Sequence, residues 1–176
     1  LMRKGQFAMA ESYFRKAVET LTERNPNPYD GEPYYNWGWS CMMQQKWDEA
    51  YDAFFKSAWN AAWQDAAYYA LAQLDTRKGK YESALDKIDR SLIRNWHNHK
   101  ARQLKISILR KLGRKEEALA LVAESLQIDR FNMGCRFEHY LLTRDVEVLE
   151  EMKKLMRGWA HGYIEYALDF AAAGLY

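Results

Sequence analysis

One short pattern returns every 34 residues along the middle of the chain. It consists of a turn residue, an aromatic residue two positions later in two of the three copies, and an alanine five positions after the turn residue. The three copies lie at Gln45–Ala50, Gly79–Ala84 and Gly113–Ala118. Self-similarity at such a period is the signature of repeat proteins, in which each unit buries its apolar face only against neighbouring units.

The residue types in the pattern indicate two antiparallel helices joined by a tight turn. Glycine suits the left-handed backbone that ends a helix, and a small alanine lets two helices approach closely. Phe54, Ile88 and Val122 each follow the alanine by four positions, so they share its helical face. An earlier copy is Gly5-Gln6-Phe7, followed by Ala10, Phe14 and Ala17.

The pattern predicts an all-α chain. We expect helices over 7–23, 33–44, 47–60, 65–78, 81–94, 99–112, 115–128, 133–143, 146–157 and 160–173. Apolar residues make up 48% of the chain, enough for a sizeable core, and only three prolines occur. No apolar run approaches the roughly 18 residues of a membrane span, so no membrane contact is expected.

The chain resembles the tetratricopeptide repeat family in the first helix of each unit. That helix carries an aromatic residue, then a large apolar residue beside a small one; here these are Tyr34 with Trp37-Gly38, and Tyr68 with Leu71-Ala72. The resemblance implies a right-handed α-solenoid of helix pairs. The stretch from Asn25 to Gly38 also resembles the repeat region of large bacterial multidomain proteins, where such repeats accompany a β-rich domain suspected of carbohydrate work.

The spacing divides 1–176 into one repeat domain, which we expect to be a fragment of a longer chain. Ala10 and Ala50 are 40 residues apart, six more than one period, and we place the six surplus residues in the turn-rich loop Asn25–Gly31. Gly113 and Gly174 are 61 residues apart, seven fewer than two periods, which implies a shortened unit near 133–158. The predicted parts are a partial unit 1–31, full units 32–64, 65–98 and 99–132, the divergent unit 133–158, and a partial unit 159–176.

Motifs for catalysis are missing from the sequence, and no enzyme activity, cofactor or metal is expected. There is no Gly-x-Ser-x-Gly, no phosphate-binding glycine loop and no His-Glu-x-x-His. Cys41 and Cys135 are predicted to be reduced, buried thiols, which fits a cytoplasmic protein. His97 and His99 form a His-x-His pair without a clustered third ligand, so we interpret them as solvent-facing loop residues.

The predicted function is a protein-interaction scaffold, because a stack of helix pairs presents an extended concave surface. Charge supports an alternative. Residues 64–132 hold 14 basic and 9 acidic residues, whereas the flanking stretches are slightly acidic. This basic middle is either a solvated face or a site for nucleic acid or another polyanion. A third possibility is a structural brace for an enzyme domain elsewhere in the full-length chain.

The family's ligand-facing positions define a predicted groove that is aromatic and Met-rich at one end and cationic at the other. It implies an extended protein or peptide ligand with an apolar anchor and acidic residues. The alternative is that the loop Asn25–Gly31 or the terminal helix covers these side chains. The groove positions are Tyr35, Trp39, Met42, Met43, Tyr69, Gln73, Thr76, Arg77, Lys100, Gln103, Ser107, Arg110 and Lys111.

Two further expectations concern charge in the first helices. Arg102 and Lys105 occupy core positions of the repeat, so each is expected to reach water along its aliphatic stem or to pair with an acid. Family members that bind chaperone tails ending in two carboxylates use a clamp of Lys, Asn and Arg. Because Tyr35 and Trp39 stand at clamp positions, binding of such tails is not expected.

Overall fold

The computed structural model describes residues 1–175, and every predicted helix is present there. The largest difference is at the end of α3, predicted at 60 and found at Ser57. Short 3-10 turns occur at Met2–Lys4 and Ala61–Trp63, and the described residues contain no β-strand. The helices are α1 (Phe7–Thr22), α2 (Glu32–Met43), α3 (Trp47–Ser57), α4 (Gln64–Arg77), α5 (Tyr81–Arg94), α6 (His99–Lys111), α7 (Lys115–Ile128), α8 (Met133–Thr143), α9 (Val146–Met156) and α10 (Ala160–Ala172).

The turn inside each helix pair has the left-handed geometry that its sequence predicts. Gly79 and Gly113 have φ values of 71° and 74°. Gln45 stands at the same repeat position and adopts a φ of 60° although it carries a side chain. The turn is therefore imposed by the packing of the helix pair, at a cost of about 1–2 kcal/mol for the non-glycine residue.

The repeat positions form the core. The alanines Ala50, Ala84 and Ala118 are completely buried, and the serines Ser57, Ser91 and Ser125 are buried with them. Phe54, Ile88 and Val122 are buried on the same faces, as their spacing predicts. The second helices thus present one apolar stripe to their partners.

The chain divides into two compact units, Leu1–Leu71 and Ala72–Tyr176. In the first unit, α2 packs between α1 and α3. In the second unit, α6 packs against α5, α7 and α8, while α8 also packs against α7 and α9.

Both irregularities of the repeat have a structural counterpart. The connection between α1 and α2 contains the loop Asn25–Gly31, with bends at 26, 27 and 29. Helices α8 and α9 have 11 residues each against 13 in α6 and 14 in α7, and the connections after α8 and α9 are one residue shorter than those after α6 and α7, respectively. No helix within residues 1–175 is both long enough and apolar enough to cross a membrane.

Candidate partner-binding surfaces

A cluster of four aromatic rings lies on one side of α2 in the first unit. The Tyr35 ring is 4.9 Å from that of Trp63 and 5.6 Å from that of Phe54. Trp39 meets Tyr35 and Phe54 edge-on, with ring centroids 6.3 and 5.8 Å away. Because Tyr35, Trp39 and Trp63 are only half-buried, this cluster presents aromatic surface to solvent as well as to the core.

Gly38 explains how the cluster reaches the core. A Cβ added at this glycine would lie 2.7 Å from two ring atoms of Phe54, so only a glycine admits the ring.

The neighbouring groove positions differ in exposure. Met42 is buried, and Met43 is 43% exposed beside the cluster on the same helix. Tyr69, on α4, is half-buried.

The loop Asn25–Gly31 is held against the end of α3. Ser57 Oγ donates a hydrogen bond of 3.0 Å to the Gly31 carbonyl, and Trp63 Nε1 donates one of 3.3 Å to Asp30. The loop therefore positions Trp63, and Trp63 in turn covers part of Tyr35. Burial raises the pKa of the Tyr35 phenol; the Trp39 hydrogen bond lowers it, and the Asp65 carboxylate raises it further.

Glu11 is the centre of an ion-pair network in the same unit. Its carboxylate accepts hydrogen bonds from Lys46 at 2.7 Å, Gln44 at 2.8 Å and Arg15 at 2.9 Å. Burial raises the pKa of Glu11, but these three donors outweigh it and the net pKa is lowered. Potential metal-ligating atoms of Glu11, Cys41 and Glu49 lie within 4.8 Å of one another.

The donors around that cluster do not suit a metal ion. Arg15 also pairs with Glu49, so both carboxylates are already neutralised by cations. Burial raises the pKa of Cys41 to about 11, and a metal needs the thiolate. The group is better described as a partly exposed salt-bridge network around the buried Glu11, which links α1 to the turn before α3 and to the start of α3.

In the second unit, two groove positions of α6 are bonded to a buried acid of α8. Glu138 is 0% exposed. It accepts hydrogen bonds from Arg110 Nε at 2.6 Å, Arg110 Nη2 at 3.1 Å and Ser107 Oγ at 2.7 Å. The bond to Glu138 raises the pKa of Arg110, partly offset by burial. Ser107 and Arg110 therefore hold α6 to α8.

Helix α10 bonds to two further groove positions of this unit. Lys100 pairs with Asp169 at 2.9 Å, and Arg77 donates a hydrogen bond of 2.8 Å to the Ala171 carbonyl. A Cβ at Gly174 would lie 3.0–3.3 Å from Arg77, so the chain after α10 also lies close to that residue. Helix α10 thus contacts both residues: Arg77 is half-buried, whereas the Lys100 side chain remains 59% exposed.

The remaining groove positions of the second unit divide between core and surface. Gln73 and Thr76 are buried on α4. The amide of Gln103 is buried over Gly134, in the space that a Cβ there would need. Lys111 is exposed.

An apolar cavity of about 300 Å³ lies between α8, α9 and α10. Tyr166 closes one side, and its hydroxyl accepts a hydrogen bond of 3.3 Å from the Met133 amide. Phe137 and Phe170 meet edge-on beside it, 5.7 Å apart. This packing fixes α10 on the second unit together with the contacts of Arg77 and Lys100.

The expectations for Arg102 and Lys105 are confirmed. Arg102 is fully buried, pairs with Glu124 at 2.7 Å and donates to Ser125 Oγ at 2.9 Å, while its guanidinium stacks 4.6 Å from the Trp96 ring. Lys105 is partly exposed and pairs with Asp89 at 2.6 Å. Both charges are thus compensated by acids of neighbouring second helices.

The cysteines and loop histidines lie where the sequence places them. Cys41 and Cys135 are free and buried, and burial raises the pKa of Cys135 to about 12. Both thiols are therefore protonated at neutral pH and are weak nucleophiles. His97 and His99 are exposed.

Sequence reasoning missed the role of Glu138. Its repeat position holds Asn36, Ala70 and Leu104 in the preceding units. Ala70 and Leu104 are buried, so an acid at their position signals a buried charge that needs a cationic partner. That signal was present in the sequence, and Arg110 is the partner that the structure supplies.

Comparison with known proteins identifies the fold. No model of a known protein family matches the sequence. The chain is similar in structure to MamA, with 17% identity, a TM-score of 0.71 and 94% of each chain covered. A tetratricopeptide repeat protein from Parabacteroides merdae matches with 19% identity and a TM-score of 0.77, over 99% of this chain and 70% of that one.

A third similar structure is YrrB, described as a tetratricopeptide repeat protein with an unusual peptide-binding site. It shares 20% identity and a TM-score of 0.62, over 92% of this chain and 80% of YrrB. Similarity at this level of identity establishes the fold and leaves function to be argued from the residues. The predicted all-α repeat architecture is confirmed: the chain has the solenoid fold of tetratricopeptide repeat proteins.

Proposed function

We propose that this chain is a protein-interaction module that holds an apolar segment of a partner against α2 of the first unit. One observation supports the proposal most strongly: Tyr35 and Trp39 form a ring cluster that remains half-exposed beside Met43, itself 43% exposed. Rigid aromatic rings anchor partners at little entropic cost, and methionine adapts to varied apolar shapes.

The state of the nucleophilic side chains favours binding over catalysis. Both thiols are buried and have raised pKa values, about 11 for Cys41 and about 12 for Cys135. An activated cysteine needs the opposite shift. Two free thiols also fit a reducing compartment such as the cytoplasm, which we propose as the location.

The cationic residues favour an apolar anchor over an acidic one. Lys100 and Arg110 already pair with Asp169 and Glu138 of the same chain. An acidic partner segment would have to displace those carboxylates, and Glu138 is buried. Lys111 is the exposed cation of α6 that such a segment reaches most easily.

The same pairing weakens the nucleic-acid alternative. Seven bases lie between Lys100 and Lys115, and five of them form ion pairs with acids of the chain. Counterion release requires cations that can neutralise phosphates. Paired side chains have already lost much of that capacity.

The test begins with selection of displayed random peptides on the immobilised 176-residue chain. The proposal predicts ligands rich in aliphatic or aromatic residues. The Trp39→Ala variant should bind these peptides at least about tenfold more weakly than the parent chain does, which is the range expected for loss of an aromatic anchor.

The matched control is Trp59→Ala. This change also removes a half-exposed tryptophan from the first unit, but Trp59 lies after α3 and contacts Phe55 and Lys56. Its affinity for the selected peptides should equal that of the parent. Equal binding by Trp39→Ala and the parent would refute the proposed site.

A further inference from the structure

Three loops of the second unit each carry an exposed aromatic side chain beside an arginine. Trp96 is 49% exposed, Phe131 51% and Trp159 64%. Each ring lies within three residues before a first helix, namely α6, α8 or α10. We define these loops, together with the last residues of α5 and α7, as the loop row, which consists of Ile93–Trp96, Ile128–Phe131 and Arg157–Trp159.

The fold brings the loop row to one end of the helix pairs. The three loops follow α5, α7 and α9, and the helices that they lead into pack side by side, α6 against α8. Phe131 and Trp159 line one surface depression together with Arg157 and Lys154. Phe131 and Trp159 are therefore neighbours on one surface, and Trp96 precedes the adjacent first helix α6.

Aliphatic side chains extend the same surface. Ile93 is 80% exposed and Ile128 37%. A run of exposed apolar residues that recurs in successive loops is unusual for a surface that faces only water.

The charges of the loop row are mostly positive. Arg94, Arg130 and Arg157 are exposed, and the Arg130 guanidinium lies 4.7 Å from the centroid of the Phe131 ring. The acid within the row is Asp129, whose carboxylate accepts the Phe131 amide hydrogen at 2.9 Å in the turn. Arg102, behind Trp96, is already neutralised by Glu124.

We propose that the loop row docks the second unit peripherally on the surface of an anionic phospholipid bilayer. The tryptophan rings insert at the level of the headgroups, where an amphipathic ring has one apolar and one wet side, and the wholly apolar Phe131 ring enters the acyl boundary. Ile93 enters the acyl boundary beside them. The arginines lie at the depth of the lipid phosphates and are attracted by their negative charge.

The aliphatic residues distinguish this ligand from nucleic acid. Single strands are bound by rings that stack on bases and by a continuous basic groove. Ile93 and Ile128 have no stacking role, whereas both are suited to an acyl boundary. In the first unit, the ammonium of Lys56 lies 4.0 Å from the centroid of the exposed Trp59 ring, so the cation–aromatic pairing also occurs after α3.

The experiment measures binding of the 176-residue chain to two kinds of vesicle by co-flotation. One is phosphatidylcholine alone, and the other is phosphatidylcholine with an equal part of phosphatidylglycerol. We expect binding to the anionic vesicles that weakens with salt. Equal binding to both vesicles, or to neither, would overturn the proposal, as would binding to a single-stranded oligonucleotide without binding to vesicles.

The charge variant is Arg94→Gln with Arg157→Gln. Each arginine contributes about 1 kcal/mol near an anionic surface, so the pair should weaken binding by about 25-fold. The control, Lys80→Gln with Lys115→Gln, removes the same charge from exposed residues at the opposite ends of the helices. An equal loss in the control would show attraction by net charge alone and overturn the assignment to the loop row.

The apolar contact has its own readout. Brominated phosphatidylcholine in the anionic vesicles should quench tryptophan fluorescence, and Trp159→Phe should reduce the quenched fraction. Trp47→Phe, at the start of α3 in the first unit, should leave the absolute quenched intensity unchanged, because that ring lies outside the loop row. Quenching that is unchanged in Trp159→Phe would contradict insertion of the loop row.

Discussion

Removing the guanidinium of Arg110 tests whether the cationic part of the predicted groove is structural. In Arg110→Met, the buried Glu138 carboxylate keeps its bond to Ser107 and loses both bonds to arginine. Breaking a buried pair on one side costs about 3–5 kcal/mol. Arg110 is itself 23% exposed, so we expect about 3 kcal/mol.

Calorimetry and urea denaturation followed by circular dichroism measure this loss. A change of 1 kcal/mol shifts the melting temperature by about 2–4 °C for a chain of this size, so Arg110→Met should melt about 6–12 °C lower. In Arg110→Met/Glu138→Met, the uncompensated charge is gone, and most of the stability should return. Lys111→Met, the neighbouring exposed cation, should stay within about 0.5 kcal/mol of the parent.

Two results would refute the reasoning about this pair. The first is a loss below about 1 kcal/mol in Arg110→Met, which would mean that water or another cation solvates Glu138. The second is a double variant as unstable as the single one. The same energetics make Arg110→Glu a poor probe of partner binding, because it would place a second carboxylate against Glu138.

Three further outcomes are expected. Gly38→Ala should destabilise the first unit by about 1–3 kcal/mol because its Cβ would meet the Phe54 ring at 2.7 Å, and denaturation of a Gly38→Ala/Phe54→Leu variant should show partial recovery. Iodoacetamide at neutral pH should leave both thiols of the native chain unmodified and alkylate both in urea, as mass spectrometry will show, since their pKa values are raised to about 11 and about 12. A chaperone tail peptide ending in two carboxylates should show no micromolar binding in calorimetry; measurable affinity would contradict the groove chemistry.

Periodicity made the fold predictable from sequence. The spacing of Ala50, Ala84 and Ala118 reports a close helix contact directly, and all three are fully buried. Gln45 shows that the period carries more information than residue identity, since it forms the turn without glycine. Missing residues near 133–158 can be counted from the sequence without knowing which helix loses them.

The candidate surfaces were less predictable because the sequence does not show what covers a groove position. Trp39 and Met43 lie near the surface, as expected, but Gln103 and Ser107 are buried. Their burial depends on α8 and on Gly134, which are distant in sequence. The pairing of Lys100 with Asp169 depends on where α10 packs, and repeat spacing does not determine the docking of a terminal helix.

The loop row shows the same limit for exposed residues. Trp96 lies 35 residues before Phe131, one more than the 34-residue period, so the repeat pattern does not connect the two rings. Its significance depends on Phe131 and Trp159 being exposed on the same end of the helix pairs. The loop row is identified by exposed rings that lie at one end of the helix pairs, and not by rings that share a repeat position.

Hydrogen–deuterium exchange of the chain with and without a selected peptide tests the central claim most directly. If α2 holds the partner, bound peptide should slow exchange in the segment 35–43 of the first unit, and Trp39→Ala should abolish that protection. The loops at 93–96, 128–131 and 157–159 should exchange at unchanged rates. Protection confined to those loops or to α10, with none in 35–43, would contradict the assignment of partner binding to the aromatic cluster.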